Sequence, residues 1–243
     1  MTTTEQSACR ATQRTPLALY LNSPQATALA RVLVPLLFGL YSVFLGADSN
    51  WDLTNYHLYN PFAWLNGRLQ FDLAPAGMQS YFNPLLDLPF YWMTTHVPPR
   101  LTGFAMGALH GLNFVFLLGI AQRLLRDLAA ENRYRIPLLL ALAGSITPCF
   151  LSQVGNSMGD NATALFVLSG LLVLLQGWDA MKSAGAHAAL FPLAGGLLVG
   201  MDIGAKPTTA CFAVGICIAL LSHPGHWLVR VRISFAFGIG VLA

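Results

Sequence analysis

Charge is what this sequence has least of. Only 9% of its 243 residues are charged, against 55% hydrophobic, where a soluble domain carries about 25% charged residues. A chain so poor in charge cannot cover a soluble surface. With a mean hydropathy of +0.58, it reads as an integral membrane protein. The net charge of +3 is small, and the cations are scattered among apolar runs. That excludes the clustered basic footprint of a nucleic-acid binder, so no nucleic-acid partner is expected. Cysteine is sparse too. Cys9, Cys149, Cys211 and Cys217 have no metal-like spacing, and three lie in or beside apolar runs. They read as small buried hydrophobes. Also missing are a P-loop, a G-x-G-x-x-G fingerprint, a nucleophile elbow and a Cys/His metal motif. Their absence leaves the common soluble-enzyme classes without support. Repeats of roughly 20–50 residues are absent as well.

What is present is a succession of apolar runs. They predict an all-α, polytopic transmembrane bundle of about seven spans, at 28–47, 101–121, 136–151, 162–177, 188–201, 208–221 and from Ile233 to Ala243. A helix needs about 20 residues to cross a hydrocarbon core of roughly 30 Å. The last run is therefore expected to be an incomplete span, and the chain an N-terminal part or a truncated product. The first run is too long for the h-region of a signal peptide, roughly 7–15 residues, and reads as an uncleaved anchor. Residues 1–27, with Arg10 and Arg14, read as a cytoplasmic tail, and 28–243 as the membrane domain.

Cations sort by loop. With the N-terminus inside, Arg10, Arg14, Arg123, Arg126, Arg133, Arg135, Lys182, Arg230 and Arg232 fall inside, while Arg68, Arg100 and Lys206 fall outside. Nine against three agrees with the positive-inside rule, and the alternation holds loop by loop. The expected location is a bacterial inner membrane, with 48–100 on the non-cytoplasmic face.

Residues 48–100 form a polar, aromatic, proline-punctuated island. It holds four of the ten carboxylates, Asp48, Asp52, Asp72 and Asp87, together with His57 and Arg68. A loop this long between apolar segments is functional or disordered, and its aromatics argue against disorder. Within it, 83–93 is apolar but too short to span. It reads as an interfacial or re-entrant helix. Asp48 and Asp52 are four apart. If the first helix continues, they share a face and separate in pKa, one serving as base. Otherwise Asp52 caps a helix starting at Leu53 and Asp48 is merely solvated. Tyr56, His57, Tyr59 and Asn60, with Trp51, Phe62 and Trp64, make an amphipathic aromatic surface. It suits sugar binding and suits an interfacial belt equally. Arg68 and Arg100 reach phosphate or snorkel to ordinary headgroups. Lys206 lies in a tight turn four residues after Asp202, where a charge is costly unless paired or used. It pairs with Asp202 or meets a phosphate. Asp160 with Asn161 caps the fourth helix or lines the same cavity.

These residues bring a family into view. Asp52-Leu53-Thr54-Asn55-Tyr56-His57, followed by Ala63-Trp64-Leu65-Asn66-Gly67-Arg68-Leu69, resembles the opening of the first outer loop in GT-C superfamily membrane glycosyltransferases. Protein O-mannosyltransferases and aminoarabinose transferases are examples. Met158-Gly159-Asp160-Asn161-Ala162 resembles that superfamily's acidic second outer loop. The segment Gly200-Met201-Asp202-Ile203-Gly204-Ala205-Lys206-Pro207-Thr208 is similar to its G-x-x-x-G-x-K-x-T stretch. The resemblance spans roughly residues 28–243. It implies transfer of a sugar from a polyprenyl-phosphate donor to an acceptor hydroxyl on the non-cytoplasmic face. It makes Asp52 the base, with Asp48 second. Lys206, helped by Arg68, holds the donor phosphate, and Tyr56, His57, Asn60 and Asp160 line the substrate site. The implied partners are the lipid-linked donor and membrane lipids. Leu53 stands where the family carries a second acid, so no residue is assigned to a metal and a divalent ion has no support in the sequence. Two other readings stand beside this one: a transporter or flippase-like protein, and a non-catalytic membrane assembly subunit.

Overall fold

The computed structural model describes residues 20–182 and 186–243. The polar start of the expected tail, with Glu5, Cys9, Arg10 and Arg14, lies outside the described residues. Among the described residues every regular element is helical. The α-helices are α1 Pro24–Leu45, α2 Tyr59–Leu65, α3 Leu88–His96, α4 Pro99–Leu124, α5 Arg135–Ser145, α6 Pro148–Ser152, α7 Asp160–Gln176, α8 Ala186–Ala205, α9 Ala210–Leu221 and α10 Trp227–Leu242. A π-helical turn, Leu53–His57, precedes α2.

Among the described residues three helices are long and apolar enough to cross a membrane: α1, α4 and, within α8, Ala188–Ala205. This marks a membrane protein. The other apolar runs fold as shorter helices, and the predicted boundaries shift for local reasons. The run expected over 136–151 breaks in two. Pro148 drives Thr147 into extended backbone, with ψ at 146°, because a residue before proline avoids the helical region. Thr147 then caps α6, its hydroxyl accepting from the Phe150 N–H at 3.4 Å. The fifth helix runs four residues past its expected end at 201, taking Asp202 into its last turns. The last helix begins at Trp227 instead of Ile233, capped by the His226 side chain.

The spans pack through small residues. A Cβ on Gly107 would stand 2.5 Å from the Phe38 carbonyl oxygen, and one on Gly111 would stand 2.6 Å from Pro35 Cα. So α4 lies backbone-to-backbone on α1, as membrane helices do where packing replaces the hydrophobic drive. Gly196 and Gly200 of α8 meet the Phe237 and Val241 carbonyls of α10 in the same way. Elsewhere Phe114 and Leu118 fill one core between α1, α4 and α5, while Val199, Ile233 and Phe237 anchor another. Cys149 and Cys211 are exposed on helix surfaces and Cys217 is half-buried, all three free. The buried setting expected of the cysteines is not found for the described ones.

Helices α1 and α4 run antiparallel, so residues 46–98 sit at one end of the bundle. The starts of α7 and α9 and the end of α8 come to the same end. Here this is called the loop end. Arg31, Arg123, Arg126 and Arg133 lie at the other, the arginine end.

Candidate functional site

The loop end is built by cross-links between segments far apart in sequence. Helix α1 stops at Gly46, whose φ of 94° and ψ of −164° no helix continues. Asp48 and Asp52 therefore do not share a helical face. Asp48 is not left to solvent either. Its Oδ2 accepts from the Ser157 N–H at 2.7 Å, and its Oδ1 accepts from the Asn50 side chain at 2.7 Å. It straps the start of the loop to residues 153–159. Nor does Asp52 cap the next helical segment. Asn50 takes that role, its Oδ1 accepting from the Leu53 N–H at 2.7 Å, and Asp52 makes no capping bond. Its carboxylate stays half-buried beside Tyr56.

From this point a set of ionisable groups converges. His57 Nδ1 lies 2.7 Å from Asp87 Oδ1, with both side chains buried. The other ring nitrogen, Nε2, has no hydrogen-bond partner among the described residues. Burial pushes the Asp87 carboxyl up, against the hydrogen bond and charge of His57 and the charge of Lys206. Burial, then the charge of Asp52, pushes the Tyr56 phenol well above the ordinary 10.0, and the charges of Asp87 and Asp160 add to it. The Tyr56 ring lies 4.2 Å from that of His57 and meets Phe82 edge-on at 5.7 Å.

Lys206 enters this set from just past the end of α8. Its ammonium ion-pairs with Asp160 and donates to the Met158 carbonyl at 3.2 Å. The expected pairing with Asp202 is absent. Only the Lys206 backbone N–H reaches Asp202, at its carbonyl oxygen, 2.7 Å away, and the Asp202 carboxylate is buried. Asp160 and Asn161 do not cap α7 with their side chains. Asp160 turns to Lys206, and the Asn161 side chain donates to the Phe150 carbonyl at 3.0 Å. Gly159, at φ 83°, makes the left-handed turn into α7, a conformation that favours glycine. Asn83 fastens the loop to α8, its amide donating to the Gly204 carbonyl at 2.8 Å.

Two predicted site residues stand apart. Arg68 forms a bidentate pair with Asp72, at 2.7 and 2.8 Å, and Tyr59 donates to the same carboxylate at 2.6 Å. This holds Asp72 below the usual carboxylate range, through Arg68 first and Tyr59 next. The guanidinium is thereby occupied. Asn60 is fully buried, its amide donating to the Gln79 carbonyl at 2.9 Å, so it supports the loop from behind. Asp52, Tyr56, His57, Asp160 and Lys206 are thus drawn together, while Asp48, Asn60 and Arg68 are tied into the scaffold around them. Asp87 is the member that sequence reasoning counted among the loop acids without assigning a role. Nothing within its own neighbourhood signals a partner 30 residues away.

Beside the strap, a cavity of about 470 Å³ opens between the end of α1, the π-helical turn, α3 and the start of α4. Val43, Leu53, Leu58 and Phe90 give it apolar walls, and Asp48 and Arg100 are its charged members. Among the described residues no three His, Cys, Asp or Glu side chains group as metal ligands. The chain matches no family model, no curated protein and no solved structure.

Proposed function

We propose that this chain is a membrane glycosyltransferase of the GT-C type, moving a sugar from a polyprenyl-phosphate donor to an acceptor hydroxyl at the loop end. The observation that carries the reading is the meeting of carboxylates with one cation. Asp52 with Tyr56, His57 with Asp87, and Asp160 with Lys206 come from four separate segments into one electrostatic neighbourhood. Phosphate departure needs a cation, and acceptor activation needs a base. Asp52 takes the acceptor proton. The acceptor oxygen then forms a bond to the sugar's anomeric carbon as the bond from that carbon to the phosphate oxygen breaks. The electron pair leaves with the polyprenyl phosphate, and Lys206 stabilises its added charge. The half-exposed Asp160 is a displaceable partner that holds the ammonium in place until the donor arrives. Tyr56 and His57 position the sugar. The apolar-walled cavity by Leu53 and Phe90 takes the first isoprene units.

In this reading the apolar helices form a bundle of about seven spans in a bacterial inner membrane, with the loop end non-cytoplasmic. The shortest of them fit by locally thinning the bilayer. The arginine excess at the other end supports that orientation.

The decisive experiment is transfer from a radiolabelled polyprenyl-phosphate sugar by the full chain in liposomes. Asp52→Asn is expected to lower turnover by about 10²–10⁴-fold, the range for a lost base. Lys206→Ala is expected to weaken donor binding and turnover together. Wild-type turnover in Asp52→Asn removes Asp52 from the base role, and no transfer by the wild type from any such donor ends the reading.

A further inference from the structure

The arginine end carries a second anion-binding arrangement. Two adjoining cavities of about 500 and 320 Å³ open there, and Arg31, Gln122, Arg126 and Arg133 line both. The surrounding cations are not equally engaged. Asp179 takes Arg126 and Lys182 as partners, with Arg123 at 3.4 Å, and lies well below the ordinary carboxylate range because of the first two. Arg123 also spans to the Leu175 carbonyl at 2.8 Å. Arg31, by contrast, donates among the described residues only to the neutral amide of Gln122, at 2.7 Å. Arg133 has no hydrogen bond or ion pair among the described residues. Two guanidinium groups therefore face one space without a carboxylate.

The frame around them is cross-linked. The Asn22 amide donates to the Ala130 carbonyl at 2.8 Å, and its oxygen accepts from the Tyr134 and Arg135 N–H groups at 3.0 and 3.1 Å. The arginine loop is thus clamped to the start of α1. One wall of the larger cavity is apolar, made by Val115, Phe116 and Leu172 of α4 and α7. Arg31 stands seven residues into α1, about 10 Å along its axis at roughly 1.5 Å per residue.

We propose that these cavities bind the headgroup of an anionic phospholipid, its phosphodiester held by Arg31 and Arg133 and its first acyl carbons lying on the Val115–Leu172 wall. Guanidinium forks match phosphate oxygens, and basic pockets between spans are suited to anionic headgroups. A free phosphate or a soluble nucleotide would leave the apolar wall unused. The site is independent of the sugar-transfer reading, since it lies at the other end of the spans.

The test reconstitutes the full chain in vesicles of mixed phosphatidylglycerol and phosphatidylcholine, then extracts it and counts retained lipid by native mass spectrometry. The wild type is expected to keep phosphatidylglycerol in preference to phosphatidylcholine. Arg31→Gln with Arg133→Gln is expected to weaken retention on the order of 30-fold, two surface cations' worth of attraction. Arg230→Gln, at the same end but outside both cavities, is expected to change nothing. Equal retention of the two lipids, undiminished retention in the double variant, or complete displacement by millimolar inorganic phosphate overturns the proposal. If the double glutamine variant loses its helical signal, the Arg31→Lys, Arg133→Lys chain is measured instead. It keeps the charge and loses the forks, and is expected to retain the lipid less well than the wild type. Retention equal to wild type overturns the assignment.

Discussion

At the scale of single residues, the buried His57–Asp87 pair separates what position dictates from what chemistry dictates. A carboxyl taken out of water prefers its proton, and Asp87 is raised above its ordinary 3.8 by burial even with His57 and Lys206 pulling the other way. The folded state therefore holds that proton more tightly than the unfolded chain does. The stability contributed by protonated Asp87 is complete below pH 3.8 and is lost as pH rises through the folded value. Asp87→Asn keeps the shape and cannot titrate. Thermal unfolding of wild type and variant in detergent across pH 3.5 to about 7 should show the wild type losing stability relative to the variant as pH rises. Parallel curves refute the assignment. Asp87 also shows why the site was only partly legible. The sequence marks loop acids by composition, but partnership across 30 residues is decided by how α3 folds back on the π-helical turn. Asn50 outbids Asp52 as a cap for a similar reason. Either side chain is chemically able to accept from an orphan N–H, and the break at Gly46 decides which one points the right way.

Between residues and the whole stand the helices, and here the sequence was more informative. Each apolar run folded as helix because hydrophobic burial, in lipid or protein, leaves the backbone no other partner. Lengths were less legible. Pro148 cuts one run through its effect on Thr147, a local rule available in advance. The extension of α8 through Asp202 carries it past the predicted end at 201. Packing was least legible, because a glycine in an apolar helix looks like filler until its facing neighbour is known. Gly107 and Gly215 separate the two cases. Gly107→Ala puts a methyl 2.5 Å from the Phe38 carbonyl oxygen and Ser42 Cβ, while a methyl at Gly215 meets nothing within 4 Å. Overpacking costs about 1–3 kcal/mol, and removing an unneeded helical glycine gains up to about 1 kcal/mol. Thermal unfolding in detergent should rank Gly107→Ala below wild type and Gly215→Ala at or above it. The reverse order sinks the close α1–α4 contact.

For the molecule as a whole, the two proposals assign a different anion to each end. Arg100 and Arg123 bracket α4, 23 residues apart by their numbers, or about 35 Å at roughly 1.5 Å per residue. The hydrocarbon core is about 30 Å thick, so this one helix is long enough to put both ends at headgroup level on opposite faces. At the loop end, Lys206 is, among the described residues, the one cation paired with the converging acids, and in the proposed reading a lone ammonium suits a single phosphate that arrives and leaves. At the arginine end, several guanidinium groups surround two cavities, which suits a resident anion. The positive-inside rule requires the arginine end to face the cytoplasm. Single-cysteine labelling tests this directly, in a chain whose four native cysteines are replaced by serine. Leu73→Cys lies in the exposed loop and Ala129→Cys in the exposed arginine loop. A membrane-impermeant maleimide added to intact cells should label position 73 at once and position 129 only after permeabilisation. The opposite pattern would set the carboxylates and Lys206 on the cytoplasmic side, and with them the site of sugar transfer. It would also leave the arginine cavities facing the leaflet from which the cation bias should exclude them.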